Sequence, residues 1–241
     1  MRAVVLAAGE GGRMNKYVEE LPKLFLEIEE RTIFEHQLDA LPAVCDRVTV
    51  VLGYGFEDRD PAEVLSGQDV PDRLDIDTVV IPEWRQYDNA ESCLRALEGI
   101  DDENVLVLCG NVIFDSSVAE TLVRRFRAEL EPAGYSAVGA YEGTQSGMTA
   151  VRWDEAGTVT DYGAIEGHQE AGMFVFNEAN LDDVRSILRE NRTEWFPTVL
   201  PRVPTRRVLV PESRHYEINT PEHLRAATAA LPFGQAPSVS Q

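Results

Sequence analysis

Apolar runs alternate with amphipathic stretches through the first half of the chain. The runs "AVVLAAG", "RVTVVLGY", "DIDTVVIPE" and "NVLVLCG" each precede a predicted helix. Strands that alternate with helices at this spacing are typical of parallel strands joined by crossover helices. The pattern therefore predicts an α/β fold with a mostly parallel sheet.

Local signals mark where some of these helices begin. Thr32 and Glu35 have the spacing of a capping box at the start of "IFEHQLDAL". The other helices predicted in this half are residues 60–65, "NAESCLRALEGI" and "SVAETLVRRFRAEL".

From about Gly134 the pattern changes to strands linked by tight turns. "SAVGAYE", "MTAVRWDEAGTVTDYG" and "AGMFVFN" predict strands, with residues 154–157 as a hairpin turn. A helix over residues 181–191, the strand "RRVLVPE" and a last helix over residues 221–230 follow. No repeat or linker divides the chain, so we expect one domain over residues 1–231 and a disordered tail over residues 232–241.

The composition indicates where the protein is located and which roles its cysteines have. No apolar run is long enough for a membrane span, and the first residues lack a signal-peptide pattern, so we expect a cytoplasmic protein. Cys45, Cys93 and Cys109 lie far apart without CxxC spacing, which argues against a disulfide framework or a zinc site. We expect them to be small buried apolar residues.

The chain is strongly acidic, with 42 acidic residues, 22 lysines and arginines, and a formal net charge of −20. Only Lys16 and Lys23 are lysines. Acids dispersed over the whole chain, with lysine almost replaced by arginine, resemble the composition of proteins from halophilic archaea. This charge disfavours nucleic acid as a partner. The sequence leaves homo-oligomerisation open.

The first strand ends in a glycine-rich turn, "LAAGEGGRM". Gly9, Gly11 and Gly12 let the backbone approach a ligand and turn N–H groups toward an anion. A plain strand-to-loop turn is the alternative. Met14 stands where a dinucleotide-binding motif needs a third small residue, so an oxidoreductase is disfavoured. A Walker A loop is excluded because no Gly-Lys-Ser/Thr follows.

The glycine turn, followed by Arg13 and by Pro22-Lys23, resembles the N-terminal signature of sugar-phosphate and alcohol-phosphate nucleotidyltransferases. The resemblance continues through "VTVVLGYGFED", "YDNAESCLRAL", "VLCGNVIF" and "HYEINTPEHLRAA". Within that family, the segments "LGY", "NAES" and "YEINTPE" most resemble those of phosphocholine-type cytidylyltransferases. The resemblance implies a Rossmann-like three-layer α/β/α nucleotidyltransferase fold.

The resemblance also implies roles for particular residues. The substrates would be a nucleoside triphosphate (CTP or another) and a small phosphomonoester, with Mg²⁺ as cofactor. Arg13 would neutralise the departing pyrophosphate and Lys23 would hold the α-phosphate. The residues expected to bind the nucleotide are Ala8, Gly9, Gly11, Gly12, Asn89 and Ser92. A solvated surface lysine is the alternative for Lys23, and a simple helix cap is the alternative for Asn89.

The two aspartates that hold the metal in the family align with Asn111 and Asn219. Amide oxygens still suit Mg²⁺, but the site loses two negative charges. Three nearby acids could replace them, namely Asp88, Asp115 and Glu217. For these acids we favour ordinary structural roles: a turn aspartate, a helix N-terminal acid and an outward strand residue, respectively.

For two histidines and two tryptophans that could take part in chemistry or binding, we expect structural roles. His168 and His215 are expected to be exposed or hydrogen-bonded polar residues. Trp153 and Trp195 are expected to be core or rim aromatics rather than platforms for a nucleobase.

Two functional hypotheses remain. The first is a nucleotidyltransferase that releases pyrophosphate. The second is a catalytically silent nucleotide-binding or sugar-nucleotide-binding homologue, because both expected metal ligands are asparagine. Metal dependence separates the two, because only an enzyme needs Mg²⁺ to bind the triphosphate productively.

Overall fold

The computed structural model of the chain describes residues 1–18, 20–145, 149–211 and 215–230. The strands are β1 (Arg2–Ala7), β2 (Glu27–Ile28), β3 (Arg31–Thr32), β4 (Arg47–Leu52), β5 (Asp75–Val80), β6 (Val105–Cys109), β7 (Val112–Phe114), β8 (Ser136–Gln145), β9 (Ala150–Trp153), β10 (Val159–Gly163), β11 (Gly167–Phe176), β12 (Thr205–Leu209) and β13 (His215–Glu217). The helices are α1 (Ile33–Ala40), α2 (Pro61–Leu65), α3 (Asn89–Leu97), α4 (Ser116–Arg125), α5 (Leu181–Glu190) and α6 (Pro221–Ala230).

The main sheet runs in the order β10-β9-β11-β6-β1-β4-β5, and β8 and β12 extend it from β11. β6, β1, β4 and β5 are parallel neighbours, whereas β11 joins β6 antiparallel. The prediction of an α/β fold with a mostly parallel central sheet is confirmed. The antiparallel insertion of β11 beside β6 is a feature that the apolar pattern does not predict.

Helices cover both faces of this sheet and produce the three layers. Apolar residues of α1 and α4, such as Phe34 and Leu122, pack on one face. Residues of α3 and α5, such as Leu94 and Val184, pack on the other. Both clusters are buried, so the two faces of the central strands are apolar, as expected for parallel strands covered by helices.

Several local predictions are confirmed. Thr32 and Glu35 form both hydrogen bonds of a capping box at the start of α1. β9 and β10 form an antiparallel hairpin, and the N–H of Gly157 donates to the carbonyl of Asp154 at 2.9 Å. α6 spans the predicted residues 221–230.

A small second sheet brings the C-terminal segment to the end of β6. β13 pairs antiparallel with β7, which begins directly after Asn111. The N–H of Ile218 also donates to the carbonyl of Asn111 at 2.7 Å. Residues 217–219 therefore lie beside the turn that follows β6.

Two predictions about organisation stay untested. The tail expected at residues 232–241 lies outside the described residues, and the single domain over residues 1–231 remains a prediction. None of the helices in the described part of the chain is long and apolar enough to cross a membrane.

Gln37 connects α1 to the turn that carries Asn111. Its side chain is fully buried, and its Nε2 donates to the carbonyls of Cys109 at 3.0 Å and Val112 at 2.8 Å. These carbonyls flank Gly110 and Asn111. The amide of Gln37 therefore holds both sides of the turn from within the core.

We expect Gln37→Leu to lower the free energy of unfolding by about 1–3 kcal/mol, because two buried carbonyls lose their donor. Chemical denaturation of the variant beside the wild type measures this. The exposed Gln86→Leu is the matched control and should change stability by less than about 0.5 kcal/mol. Equal stabilities for the two variants would show that Gln37 does not hold the turn.

Candidate functional site

The ends of β1 and β6 meet at the point where the chain order of the sheet reverses. β1 lies between β4 and β6, and ligands of open α/β sheets bind at such a switch point. The N–H of Gly110 donates to the carbonyl of Leu6 at 2.9 Å. A Cβ on Gly110 would lie 2.7 Å from that same oxygen, so only glycine allows the two turns to approach this closely.

Gly11 shapes the glycine turn itself. Its φ of +68° is in the left-handed region, where a side chain is strained. A Cβ at this position would also lie 2.8 Å from Cγ and Cε of Lys23. The aliphatic part of Lys23 therefore packs against the glycine turn, which fixes where its ammonium group lies.

Three hydrogen-bond donors of the site converge on the side chain of Asn219. Its Oδ1 accepts hydrogen bonds from Arg13 at 2.9 Å, from Lys23 at 3.1 Å and from Nδ2 of Asn111 at 3.2 Å. Lys23 also donates to the carbonyl of Ile218 at 3.3 Å. The structure thus brings together four residues that were predicted to act together: both presumed catalytic cations and both presumed metal ligands.

Glu217 is the carboxylate of this cluster. Its Oε1 accepts hydrogen bonds from Nδ2 of Asn219 at 2.6 Å and from Nδ2 of Asn111 at 3.3 Å. The expectation that Glu217 points outward from its strand is therefore wrong. The pairing of β13 with β7 turns this side chain toward the turn after β6.

The surroundings of Lys23, above all its burial, lower the pKa of its ammonium group from 10.5 to about 8. Burial is the largest cause, and the positive charge of Arg13 adds to it, whereas Glu217 opposes the shift. The neutral amide of Asn219 supplies an acceptor but no compensating charge. The alternative of a solvated surface lysine is therefore excluded.

Two adjoining clefts open on this cluster and share Gly9 and Asn111. The smaller, of about 210 Å³, contains Gly11 and Lys23. The larger, of about 550 Å³, contains Ala8, Asn89 and Ser92. Three of the predicted site residues lie outside both linings: Gly12 and Arg13, in the 3-10 helix Gly12–Tyr17, and Asn219.

Asn89 is not the helix cap that the alternative proposed. Asp88 caps α3, because its carboxylate accepts the N–H of Asn89 at 2.7 Å. Oδ1 of Asn89 instead accepts the N–H of Phe196 at 2.6 Å. Asn89 thus ties the rim of the larger cleft to the segment around residue 196.

The larger cleft also contains aromatic and charged residues that the sequence interpretation missed. Trp84, Arg85 and Tyr87 lie along it. The Arg85 guanidinium stacks over the Trp84 ring with 4.2 Å to its centroid, and the indole N–H of Trp84 donates to Glu57 at 2.8 Å. These residues lie in the segment between β5 and α3, beyond the carboxyl end of a parallel strand. The rule that singled out Asn111 therefore also indicates this segment.

Of the other two candidate acids, Asp115 has the structural role that we favoured, whereas Asp88 is a helix cap and not a turn aspartate. Asp115 caps α4 by accepting the N–H of Ser117 at 3.0 Å. Asp88 is the cap of α3 described above, although it also borders the larger cleft. Among the residues that the structure describes, no group of three histidines, cysteines or acids is placed to hold a metal ion.

The histidines and tryptophans singled out earlier lie away from the two clefts. His215 is buried and contacts the carbonyl of Ala171 through Nε2, and burial lowers its pKa to about 4. His168 stacks on Trp153 with 3.7 Å between ring centroids. Trp195 is 42% exposed. Neither tryptophan lines a cleft that contains the predicted nucleotide-binding residues.

The sequence is similar to those of known proteins over most of its length. Residues 3–200 match the family described as the MobA-like NTP transferase domain. The chain is 32% identical over 176 residues to CMP-5'-(3-aminopropyl)phosphonate synthase of Streptomyces rubellomurinus, covering 72% of this chain and 26% of that protein. It is 27% identical over 212 residues to UTP–glucose-1-phosphate uridylyltransferase AglF of Haloferax volcanii, covering 81% of this chain and 79% of that protein.

Solved structures support the fold. The CTP:phosphocholine cytidylyltransferase LicC of Streptococcus pneumoniae superposes with a TM-score of 0.71 at 15% identity, covering 96% of this chain and 99% of that chain. The inositol-1-phosphate CTP transferase of T. maritima superposes with a TM-score of 0.76 at 17% identity, covering 95% of this chain and 94% of that chain. These likenesses confirm the three-layer nucleotidyltransferase fold.

We expect Asn219→Asp to raise the pKa of Lys23 by about 1–3 units, because a carboxylate that accepts from the ammonium group favours its charged form. The Cε chemical shift of ¹³C-labelled lysine, followed against pH, measures this pKa. The chain contains only two lysines, so two signals are expected. In Asn191→Asp, which adds a carboxylate at the end of α5, both signals should titrate as in the wild type. An unchanged titration in Asn219→Asp would contradict the bond between Lys23 and Asn219.

Proposed function

The chain belongs to the family of MobA-like NTP transferase domains, and we propose that it transfers a nucleoside monophosphate from a nucleoside triphosphate to a sugar phosphate or an alcohol phosphate. An oxygen of the acceptor attacks the α-phosphorus, the bond from that phosphorus to the bridging oxygen of the β-phosphate breaks, and pyrophosphate leaves. The observation that carries this proposal is the convergence of Arg13, Lys23 and the glycine turn at the switch point between two clefts.

The glycine turn and the two cations suit the triphosphate. Backbone N–H groups of such a turn bind phosphate oxygens, and Arg13 offers a forked cation for the departing pyrophosphate. Lys23 lies between the turn and Asn219, so its ammonium group can hold the α-phosphate as negative charge accumulates there. This chemistry needs positioning and charge neutralisation rather than a protein nucleophile.

The larger cleft suits the nucleoside. It lies beside Ala8 and Gly9 and contains Asn89, Ser92 and the indole of Trp84. Its polar and aromatic side chains can hydrogen-bond and pack against a base. The nucleotide remains CTP or another triphosphate, because the names of the relatives include transfer of both cytidylyl and uridylyl groups.

The carboxylate at the centre of the site is the group that could hold a divalent cation. The carboxylate of Glu217 accepts hydrogen bonds from the Nδ2 groups of Asn111 and Asn219, and carboxylate oxygens are ligands that Mg²⁺ takes in proteins. We therefore infer that Glu217 supplies the charge that the two asparagines lack. When bound, the ion would neutralise phosphate charge.

We expect pyrophosphate release when Mg²⁺, a triphosphate and an acceptor are all present, measured across the common triphosphates and a panel of sugar and alcohol phosphates. The assay is run in molar KCl, because the acidic composition resembles that of proteins from halophilic archaea. Lys23→Ala should lower kcat by about 10²- to 10³-fold, the usual cost of losing one group that stabilises transition-state charge. The exposed Arg73→Ala is the control and should retain full activity.

The silent-binder hypothesis makes the opposite prediction in the same assay. The double variant Asn111→Asp/Asn219→Asp restores the two carboxylates that the family has at these positions. If the wild type is inactive with every substrate pair and the double variant is active, the chain is a transferase scaffold without a working metal site. That result would overturn the proposed function.

We expect Glu217→Gln to weaken metal binding at least tenfold, because the one carboxylate that bonds to both asparagines in the described part of the chain loses its charge. Titration with Mn²⁺ in the presence of a non-hydrolysable triphosphate, followed by electron paramagnetic resonance, measures this without turnover. Glu222→Gln, an exposed acid at the start of α6, is the matched control. Equal Mn²⁺ affinity in both variants would remove Glu217 from the metal site.

A further inference from the structure

Tyr87 lines the larger cleft, and an arginine from a distant part of the chain covers one face of its ring. The guanidinium carbon of Arg192 lies 4.1 Å from the ring centroid. Tyr87 belongs to the segment between β5 and α3, whereas Arg192 follows the end of α5. The contact therefore joins the wall of the cleft to residues 191–196, here called the 191–196 segment.

A buried carboxylate holds Arg192 in place. Glu91 is 1% exposed. Its two oxygens accept hydrogen bonds from Nε of Arg192 at 2.6 Å and from Nη2 at 2.7 Å. A bidentate pair of this kind fixes the plane of the guanidinium group. The orientation of the Tyr87 ring is fixed in turn, because the ring packs on that plane.

Further hydrogen bonds tie the 191–196 segment to the beginning of α3. The N–H of Asp88 donates to the carbonyl of Arg192 at 3.2 Å. The N–H of Phe196 donates to Oδ1 of Asn89 at 2.6 Å. Asp88 and Asn89 line the larger cleft, as Tyr87 does. The 191–196 segment therefore supports a continuous stretch of the cleft wall from behind.

Trp84, a second aromatic residue along this cleft, is held by surface contacts instead. Arg85 covers its ring, but Arg85 is exposed and pairs with Glu57 at 3.4 Å. The indole also packs edge-on against Tyr54, with 5.5 Å between ring centroids. Surface ion pairs of this kind contribute little. Tyr87 is therefore the ring whose orientation depends on a buried pair.

We propose that the nucleobase of the triphosphate packs on the ring of Tyr87, and that Arg192 is the residue that positions this ring. The inference rests on the proposed function for the place of the triphosphate. With the phosphates at the glycine turn, the nucleoside extends into the larger cleft, which shares Gly9 with the smaller one. A ring that is already fixed loses little conformational freedom when a base packs on it. Arg192 acts through Tyr87.

Binding of nucleotides without an acceptor tests the inference, because no turnover is needed. CTP, UTP, ATP and GTP are titrated in a calorimeter, each with Mg²⁺ in molar KCl. Inorganic triphosphate serves as the phosphate chain without base or ribose. We expect Tyr87→Ala and Arg192→Ala to weaken binding of the nucleotide that the wild type prefers by about 10- to 100-fold, as for the loss of base–aromatic stacking. Both variants should bind inorganic triphosphate as the wild type does.

Conservative and control variants separate positioning from stability. Tyr87→Phe keeps the ring and should bind the nucleotide as the wild type does. Arg192→Lys keeps the charge but loses the planar fork, so it should bind as weakly as Arg192→Ala. Arg95→Ala is the matched control, because Arg95 also donates to Glu91, at 2.9 Å, and is not part of the cleft lining. It should keep the nucleotide affinity of the wild type.

Unchanged nucleotide affinity in Tyr87→Ala and Arg192→Ala would overturn the inference. An equal loss of affinity for inorganic triphosphate, or an equal loss in Arg95→Ala, would also overturn it, because either result shows general damage to the site. Tyr87→Ala leaves the pair of Arg192 and Glu91 intact, so it decides the role of the ring even if Arg192→Ala does not fold. Arg192→Lys then decides how the ring is positioned.

The proposed function and this inference fail in distinguishable ways. In the turnover assay, Tyr87→Ala and Arg192→Ala should raise KM for the triphosphate and leave kcat nearly unchanged, as for a loss of uniform binding. Turnover with an unchanged KM in both variants would overturn the inference and leave the transferase standing. Nucleotide binding that depends on Tyr87, without pyrophosphate release from any substrate pair, would overturn the transferase and support the inference.

Discussion

The amide oxygen of Asn219 accepts three hydrogen bonds, and the site depends on this one acceptor. The donors come from the glycine-turn region, from the segment after it and from the end of β6. The pairing of β13 with β7 keeps the acceptor in place, and Gln37 holds the turn opposite it from within the core. Without that pairing, Arg13 and Lys23 would have no common partner.

A neutral acceptor between two cations has electrostatic consequences. An amide accepts hydrogen bonds from Arg13 and Lys23 but leaves their charges uncompensated. Burial lowers the pKa of Lys23 most, and the neighbouring charge of Arg13 lowers it further. A carboxylate at position 219 would neutralise part of this charge. The asparagines therefore leave Arg13 and Lys23 without a carboxylate at position 219, and within the described residues the carboxylate that bonds to both amides is Glu217.

The strand order separates two kinds of charge across one sheet edge. Cations and the glycine turn lie on the β1 side of Asn111, whereas Glu170 and Glu217 lie toward β11 and β13. The distribution of charged groups in the site thus follows from the position of β6 between a parallel neighbour and an antiparallel one.

The amino-acid sequence by itself determined the local structure and indicated the residues that form the candidate site. Apolar spacing, the Thr32–Glu35 capping box and the glycine turn act over a few residues, so each could be predicted before the fold was known. The sequence also indicated Arg13, Lys23, Asn111 and Asn219. Only the tertiary structure decided that Glu217 faces them and that Arg192 covers Tyr87. The direction of a strand side chain depends on register, and a shift of one residue reverses it. Register and contacts between distant segments are set by long-range pairing, which local patterns do not encode.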